Sequence, residues 1–118
     1  MDELLYETAD GIGYVTFNRP AQRNALTFAM YARLAEICAD PGDVRALVVS
    51  GAGGAFAAGT DMSQFRAFST PEDAWEYEAK MDGTLDTIER CPVPTIAAIT
   101  GACTGGGAAI AGCCDLRV

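Results

Sequence analysis

Two short apolar runs are each followed by a glycine-rich segment, and this arrangement limits the folds open to the chain. The first run is Arg45 to Ser50, followed by the glycines between Gly51 and Gly59. The second is Thr95 to Ile99, followed by the triplet Gly105-Gly106-Gly107. Continuous apolar runs bounded by turn residues are typical of strands buried on both faces of a layered structure. The pattern predicts buried strands joined to helices through glycine loops.

The other segments predict a hairpin and three helices placed among these strands. Turn residues, N-caps and the spacing of apolar residues indicate where each of these elements begins and ends. The expected elements are a hairpin of residues 4–7 and 12–17 turning at Asp10-Gly11, a helix from Thr27 to Asp40, a helix opened by Ser69-Thr70-Pro71, a helix through Ala108 to Gly112, and a strand from Cys114 to Val118. Trp75 is interpreted as a packing residue. Alternating strands and helices predict an α/β fold.

Charge and length exclude some functions. The chain has 118 residues and a net charge of −8, with 16 acidic against 8 basic side chains. That balance argues against nucleic acid or an anionic membrane as a partner. The length allows one domain. An anionic ligand would need arginines or the free amides at helix N-termini.

The five cysteines are interpreted as reduced, packed thiols of a cytoplasmic protein. They are odd in number, show no CxxC spacing and have no histidine beside them to complete a mixed zinc site. We therefore expect no metal. The acidic N-terminus, Met1-Asp2-Glu3, argues against a signal peptide.

An uncharged stretch from Val93 to Cys114 is long enough to span a bilayer. Its side chains are mostly Ala, Gly, Thr and Cys, and each glycine of the triplet would cost about 1 kcal/mol inside a helix. A membrane-associated fragment is therefore the least favoured interpretation, and no membrane partner is expected.

The glycine loops are suited to presenting backbone amides. The first amides of a helix have no internal partner and carry partial positive charge, and glycine lets a substrate oxygen approach the backbone. Neither loop matches the common phosphate-binding motifs. Each loop taken alone is equally compatible with a tight turn beside a crowded sheet.

Three segments together resemble the enoyl-CoA hydratase/isomerase (crotonase) family. They are RPAQRNAL (Arg19 to Leu26), AFAAGTDM (Ala55 to Met62) and CPVPTIAAITGACTGGG (Cys91 to Gly107), in this order. The resemblance implies a spiral of repeated strand-strand-helix units. It also implies that residues 1–118 are the N-terminal part of a single crotonase-like domain, truncated before the C-terminal helical trimerisation region. The complete protein would form a homotrimer or a dimer of trimers.

The resemblance also implies a site for an acyl-CoA thioester, with no cofactor beyond the coenzyme A of the substrate. The backbone N–H groups of Thr60 and Gly106 would form an oxyanion hole. The implied coenzyme A side comprises Arg23, Asn24, Ala25, Ala58, Gly59, Asp61 and Met62. The residue type favours a structural role for Asp61, because an aspartate at a helix start caps free amides.

Position 109 departs from the family pattern. Hydratases of the family carry a glutamate two residues after the glycine triplet, where this chain has Ala109. Alanine cannot transfer a proton. Hydration, double-bond isomerisation or another single-acid reaction therefore stay open. A non-catalytic coenzyme A-binding or assembly module is the alternative from a different class.

Overall fold

The computed structural model describes residues 2–118 as seven strands and three α-helices. The elements are β1 (Leu4–Ala9), β2 (Ile12–Phe17), α1 (Phe28–Ala39), β3 (Ala46–Gly51), β4 (Ala55–Ala57), α2 (Pro71–Glu89), β5 (Thr95–Ala97), β6 (Ala102–Cys103), α3 (Gly106–Cys113) and β7 (Leu116–Arg117). Short 3-10 helices cover Pro20–Gln22 and Met62–Ala67. The expected α/β fold is confirmed.

The larger sheet has the strand order β1-β2-β3-β5-β7. Strands β1 and β2 form the expected hairpin, and the remaining neighbours pair in parallel. Asp10 and Gly11 turn the hairpin with φ angles of 52° and 79°. Two consecutive positive φ angles match the right-handed twist of the flanking strands, which explains the Asp-Gly pair there.

Helix α1 supplies much of the core. The Thr27 hydroxyl accepts a hydrogen bond from the Met30 N–H at 3.2 Å, which caps the helix as expected. The α1 side chains buried against the sheet lie at helical spacing: Met30, Tyr31, Leu34, Ile37 and Cys38. Helix α2 packs on α1 more loosely, and only Ile88 of α2 is buried.

A second, two-stranded sheet lies inside the segments expected to be glycine loops. Strands β4 and β6 pair in parallel, with Ala55 opposite Ala102 and Ala57 opposite Cys103. Neither strand was predicted, because runs of three and two residues are too short to show a period. Parallel pairing places the carboxyl ends of both strands at the same edge.

Three further expectations are corrected. In β3, Leu47 and Val49 are buried while Val48 is half-buried, because the described residues cover one face of the sheet better than the other. The last strand has two residues instead of five. Trp75 is 65% exposed, because it lies on the face of α2 directed away from α1.

Candidate active site

The two glycine loops meet because β4 and β6 lead into them side by side. Gly59 follows β4, Thr104 and Gly105 follow β6, and the Thr104 N–H donates to the Ala57 carbonyl at 3.1 Å. A side-chain carbon at position 105 would lie 3.4 Å from the Gly59 Cα atom. The hydrogen bond joins the two loops through their backbones, and the φ angle of 55° at Gly105 is one that residues other than glycine rarely adopt.

Thr60 and Gly106 are the next residues of the two loops, and they also lie together. A side-chain carbon at position 106 would lie 3.1 Å from the Thr60 Oγ1 atom. Gly106 is the first residue of α3, so its N–H is one of the helix amides without an internal acceptor. The sequence motifs anticipated this meeting of positions 60 and 106.

The N–H groups of both residues are free of protein acceptors. Leu26 bridges to Thr60 through two bonds, donating to the Gly59 carbonyl at 2.7 Å and accepting from the Asp61 N–H at 2.8 Å. The Gly59 carbonyl and the Thr60 N–H belong to the same trans peptide group and point in opposite directions. Because that carbonyl faces Leu26, the Thr60 N–H is directed away from Leu26. Within residues 2–118, neither the Thr60 nor the Gly106 N–H has a hydrogen-bond acceptor.

The Tyr31 side chain of α1 extends to the place where Thr60 and Gly106 lie together. Its hydroxyl lies 2.7 Å from the Thr60 Oγ1 atom, and only 4% of the residue is exposed. Burial raises the pKa of Tyr31, so the side chain is a neutral phenol at physiological pH. Sequence reasoning missed this residue because a tyrosine beside the apolar face of a helix looks like ordinary core, and no spacing distinguishes it.

Asp61 shapes the loop after Thr60. Its Oδ1 atom accepts hydrogen bonds from the N–H and the hydroxyl of Ser63 at 2.9 and 2.7 Å, which caps the 3-10 helix. The Arg19 guanidinium donates to its Oδ2 atom at 3.0 Å. The hydrogen bonds from Ser63, followed by Arg19, lower the pKa of Asp61. The carboxylate is therefore held ionised in a structural role, as its residue type indicated.

Asn24, which the resemblance places on the coenzyme A side, has its side chain in the protein interior. The residue is 0% exposed. Its amide group donates to the carbonyls of Ala52 and Ala55 at 2.9 and 2.8 Å, and its Oδ1 accepts from the Arg19 N–H at 2.8 Å. Every polar atom of the side chain is occupied by backbone. Asn24 therefore supports the segment leading into β4.

The other residues of the implied coenzyme A side lie around the same loop. Arg23 is exposed, and its carbonyl accepts from the Ala58 N–H at 3.0 Å, which joins the two segments. Ala25 is half-buried, and its carbonyl accepts from Arg19 Nη1 at 2.7 Å. Met62 is 74% exposed. The structure thus brings the RNAL segment and the AGTD segment to one face, with Arg23 as an accessible cation there.

Position 109 lies on α3, one turn into the helix whose first residue is Gly106. Ala109 is half-buried, and its N–H donates to the Gly105 carbonyl at 3.0 Å. The nearby acid Asp115 does not replace the missing glutamate, because its carboxylate accepts a hydrogen bond from the Thr95 N–H at 2.8 Å. The contact gives Asp115 a structural role at the start of β5.

A groove of about 800 Å³ lies between α1 and α2, and Tyr31 lines it. Four aromatic rings pack against one another at one end, with centroid distances between 4.9 and 6.0 Å: Phe28, Phe65, Phe68 and Tyr77. Met81 also contributes to the wall. The groove can take an apolar group, although charged side chains also line it: Asp73, Glu76 and Lys80. Its link to the loops is Tyr31, whose hydroxyl contacts Thr60.

The described residues form neither a metal cluster nor a membrane-spanning helix. Within residues 2–118, no three cysteine or acidic side chains come together as a metal site would need. None of the helices in the same range is long and apolar enough to cross a membrane. The segment from Val93 to Cys114 is divided among β5, β6 and α3.

Fold and site together define an α/β protein in which two parallel strands direct glycine loops, and a helix N-terminus, at one point. A family model described as enoyl-CoA hydratase/isomerase matches residues 7–118. The chain belongs to the enoyl-CoA hydratase/isomerase family, and the resemblance noted in the sequence is confirmed.

Individual relatives agree with this assignment. Mitochondrial Delta(3,5)-Delta(2,4)-dienoyl-CoA isomerase of Rattus norvegicus is 38% identical, covering 88% of this chain and 36% of that protein. Ethylmalonyl-CoA decarboxylase of Xenopus laevis is 33% identical, covering 97% of this chain and 39% of that protein. The crystal structure of an enoyl-CoA hydratase/carnithine racemase from Magnetospirillum magneticum has a TM-score of 0.88 at 41% identity, covering 99% of this chain and 46% of that one. The chain thus spans less than half the length of these relatives.

Proposed function

We propose that the complete protein is an acyl-CoA thioester enzyme in which the N–H groups of Thr60 and Gly106 stabilise a thioester enolate. The proposal rests on one observation: within residues 2–118, two N–H groups without a protein acceptor lie on loops that a backbone hydrogen bond joins. Removing an α-proton from a thioester, or adding a nucleophile at its β-carbon, places negative charge on the thioester oxygen. Two preorganised amides stabilise that charge without a cationic side chain, which suits a chain of net charge −8.

The surroundings of the loops support a thioester as the substrate. The groove beside Tyr31 offers an apolar site for the acyl group, and the exposed Arg23 offers a cation to the phosphates of coenzyme A on the face shared by the RNAL and AGTD segments. The acyl group and the coenzyme A moiety would then extend from a carbonyl held at Thr60 and Gly106. The names of the relatives above, an isomerase and a decarboxylase acting on CoA thioesters, agree with this substrate class.

The reaction we propose is isomerisation of an enoyl-CoA double bond or hydration of that bond. Both pass through an enolate-like state, so the amide pair serves either one. Ala109 favours a reaction that does not need an acid at that position, because alanine neither donates a proton nor orients water. As the resemblance implies, we propose assembly as a homotrimer or a dimer of trimers. From the reduced cysteines, we propose a cytoplasmic location.

Ligands that differ only at the carbonyl test the amide pair. The complete gene product is titrated with butyryl-CoA and with S-butyl-CoA, a thioether that lacks the carbonyl oxygen, while free coenzyme A measures the contribution of the nucleotide part. We expect the thioester to bind about tenfold more tightly than the thioether, the equivalent of one net hydrogen bond of about 1.4 kcal/mol. Equal affinities would refute the oxyanion site.

A non-catalytic coenzyme A-binding module is the second candidate, and Ala109 is the observation that favours it. The two candidates differ in turnover. Crotonyl-CoA and a 3-enoyl-CoA are incubated with the complete gene product, and products are separated by chromatography. The enzyme proposal predicts conversion of at least one of them. Tight binding of both without any product would favour the binding module instead.

A further inference from the structure

The Tyr31 side chain contacts both loops at the point where their free amides lie. Its hydroxyl is 2.7 Å from the Thr60 Oγ1 atom. A side-chain carbon at position 106 would overlap the same hydroxyl and would lie 3.2 Å from Tyr31 Cζ. One buried hydroxyl therefore touches Thr60 through a hydrogen bond and Gly106 through direct packing on its Cα atom.

We infer that Tyr31 is a positioning residue that sets the separation between the Thr60 and Gly106 amides; this inference rests on the proposed function. The two amides belong to different elements, and the nearest backbone link is the bond between Thr104 and Ala57. Tyr31 approaches from a third element, α1, which is anchored in the core. Its hydroxyl limits how closely Gly106 can approach and also holds the rotamer of Thr60.

Such a support matters because oxyanion stabilisation depends steeply on distance. Hydrogen bonds to an oxyanion require donor separations of about 2.7 to 3.1 Å. A displacement of about 1 Å in a reacting group can cost about a hundredfold in rate. A hydroxyl that locks the rotamer beside one donor and limits the approach of the other keeps both within that range.

Tyr6 offers a matched control elsewhere in the chain. Its hydroxyl donates to the Pro41 carbonyl at 2.7 Å, and its ring also packs over a glycine, Gly13. Tyr6→Phe and Tyr31→Phe therefore each remove one hydroxyl hydrogen bond above a glycine. Only Tyr31 lies at the loops, so a purely structural role predicts the same behaviour for both variants.

The first experiment compares these variants in the complete gene product. A conjugated dienoyl-CoA is bound, because hydrogen bonds that polarise its carbonyl move its ultraviolet band to longer wavelength, and turnover is measured with an enoyl-CoA. We expect Tyr31→Phe to lower kcat about tenfold and to reduce the band shift, with KM changed less than about twofold. Tyr6→Phe should leave kcat and the shift unchanged. Equal shifts and equal kcat in the two variants would overturn the positioning role.

The second experiment tests the contact itself by thermal unfolding. Gly106→Ala should lower Tm, because the new methyl group overlaps the Tyr31 hydroxyl, and Tyr31→Phe in the same chain should restore much of the loss. An equal loss from Gly106→Ala in both backgrounds would disprove the contact. If the unaltered protein binds no CoA thioester, the proposed function and the positioning role of Tyr31 both fail, while the Tm comparison still tests the contact.

Discussion

Replacing Asn24 by aspartate should destabilise the protein severely although the two side chains have nearly the same shape. The fully buried Asn24 amide donates to the Ala55 carbonyl at 2.8 Å in a buried hydrogen bond and to the Ala52 carbonyl at 2.9 Å in a partly buried one. Aspartate presents an oxygen to these two acceptors, so both carbonyls lose their donor. A buried polar group without a partner costs about 1–3 kcal/mol, so loss of the bond to the buried Ala55 carbonyl costs about that much and loss of the bond to the partly exposed Ala52 carbonyl adds a smaller amount. The free energy of unfolding of a whole domain is only about 5–15 kcal/mol.

The assay is equilibrium urea unfolding of the complete gene product, followed by circular dichroism. Asn18→Asp is the matched control, because the Asn18 amide makes one exposed hydrogen bond, to the Asp2 carbonyl at 3.1 Å. We expect the control to lose less than about 1 kcal/mol. An Asn24→Asp loss no larger than that of the control would refute the buried network.

The pH dependence of the Asn24→Asp variant gives a second check. Burial beside two carbonyls disfavours the carboxylate, so the pKa of the new aspartate should rise above its unfolded value. A group with a raised folded pKa binds more protons in the native state, and stability then falls as pH rises. The deficit relative to the unaltered protein should be smaller at about pH 5 than at about pH 8. A deficit that grows on acidification would contradict this reasoning.

Three further predictions concern other positions. Gly107→Ala should destabilise the protein by about 1–3 kcal/mol in urea unfolding, because the new methyl group would overlap the Ala57 carbonyl. Gly112→Ala in the same helix is the control: its methyl group meets open space, and it should stabilise the protein by about 0.5–1 kcal/mol. Ala109→Glu should raise the hydration of crotonyl-CoA, measured as loss of enoyl-thioester absorbance, by up to about a hundredfold, and brisk hydration by the unaltered protein would contradict the role given to the missing acid. Burial raises the pKa of Cys38 to about 12, so iodoacetamide at about pH 8 should leave this thiol unmodified in the folded protein, as mass spectrometry of peptides would show.

Much of the fold could be predicted from short sequence patterns, because the residues in each pattern favour their own backbone conformation. The Asp10-Gly11 turn and the Thr27 cap were predicted because each supplies its own backbone conformation or hydrogen bond within four residues. Strands β4 and β6 were not predicted. Strands of three and two residues have no measurable period, and only pairing with each other makes them strands.

The sequence by itself determined the family, the alternating elements and the two loops that carry Thr60 and Gly106. Glycines and apolar runs favour particular local conformations, so their effect can be predicted without knowing the tertiary contacts. Tertiary structure decided which side chains support those loops. The buried Asn24 side chain holds the segment before β4 through hydrogen bonds, and Tyr31 lies beside the amides of Thr60 and Gly106. Both roles depend on contacts with residues that are distant in the chain. The contact between Tyr31 and Thr60 joins residues 29 positions apart in the chain. The distance between their hydroxyl groups depends on how α1 packs against the loops.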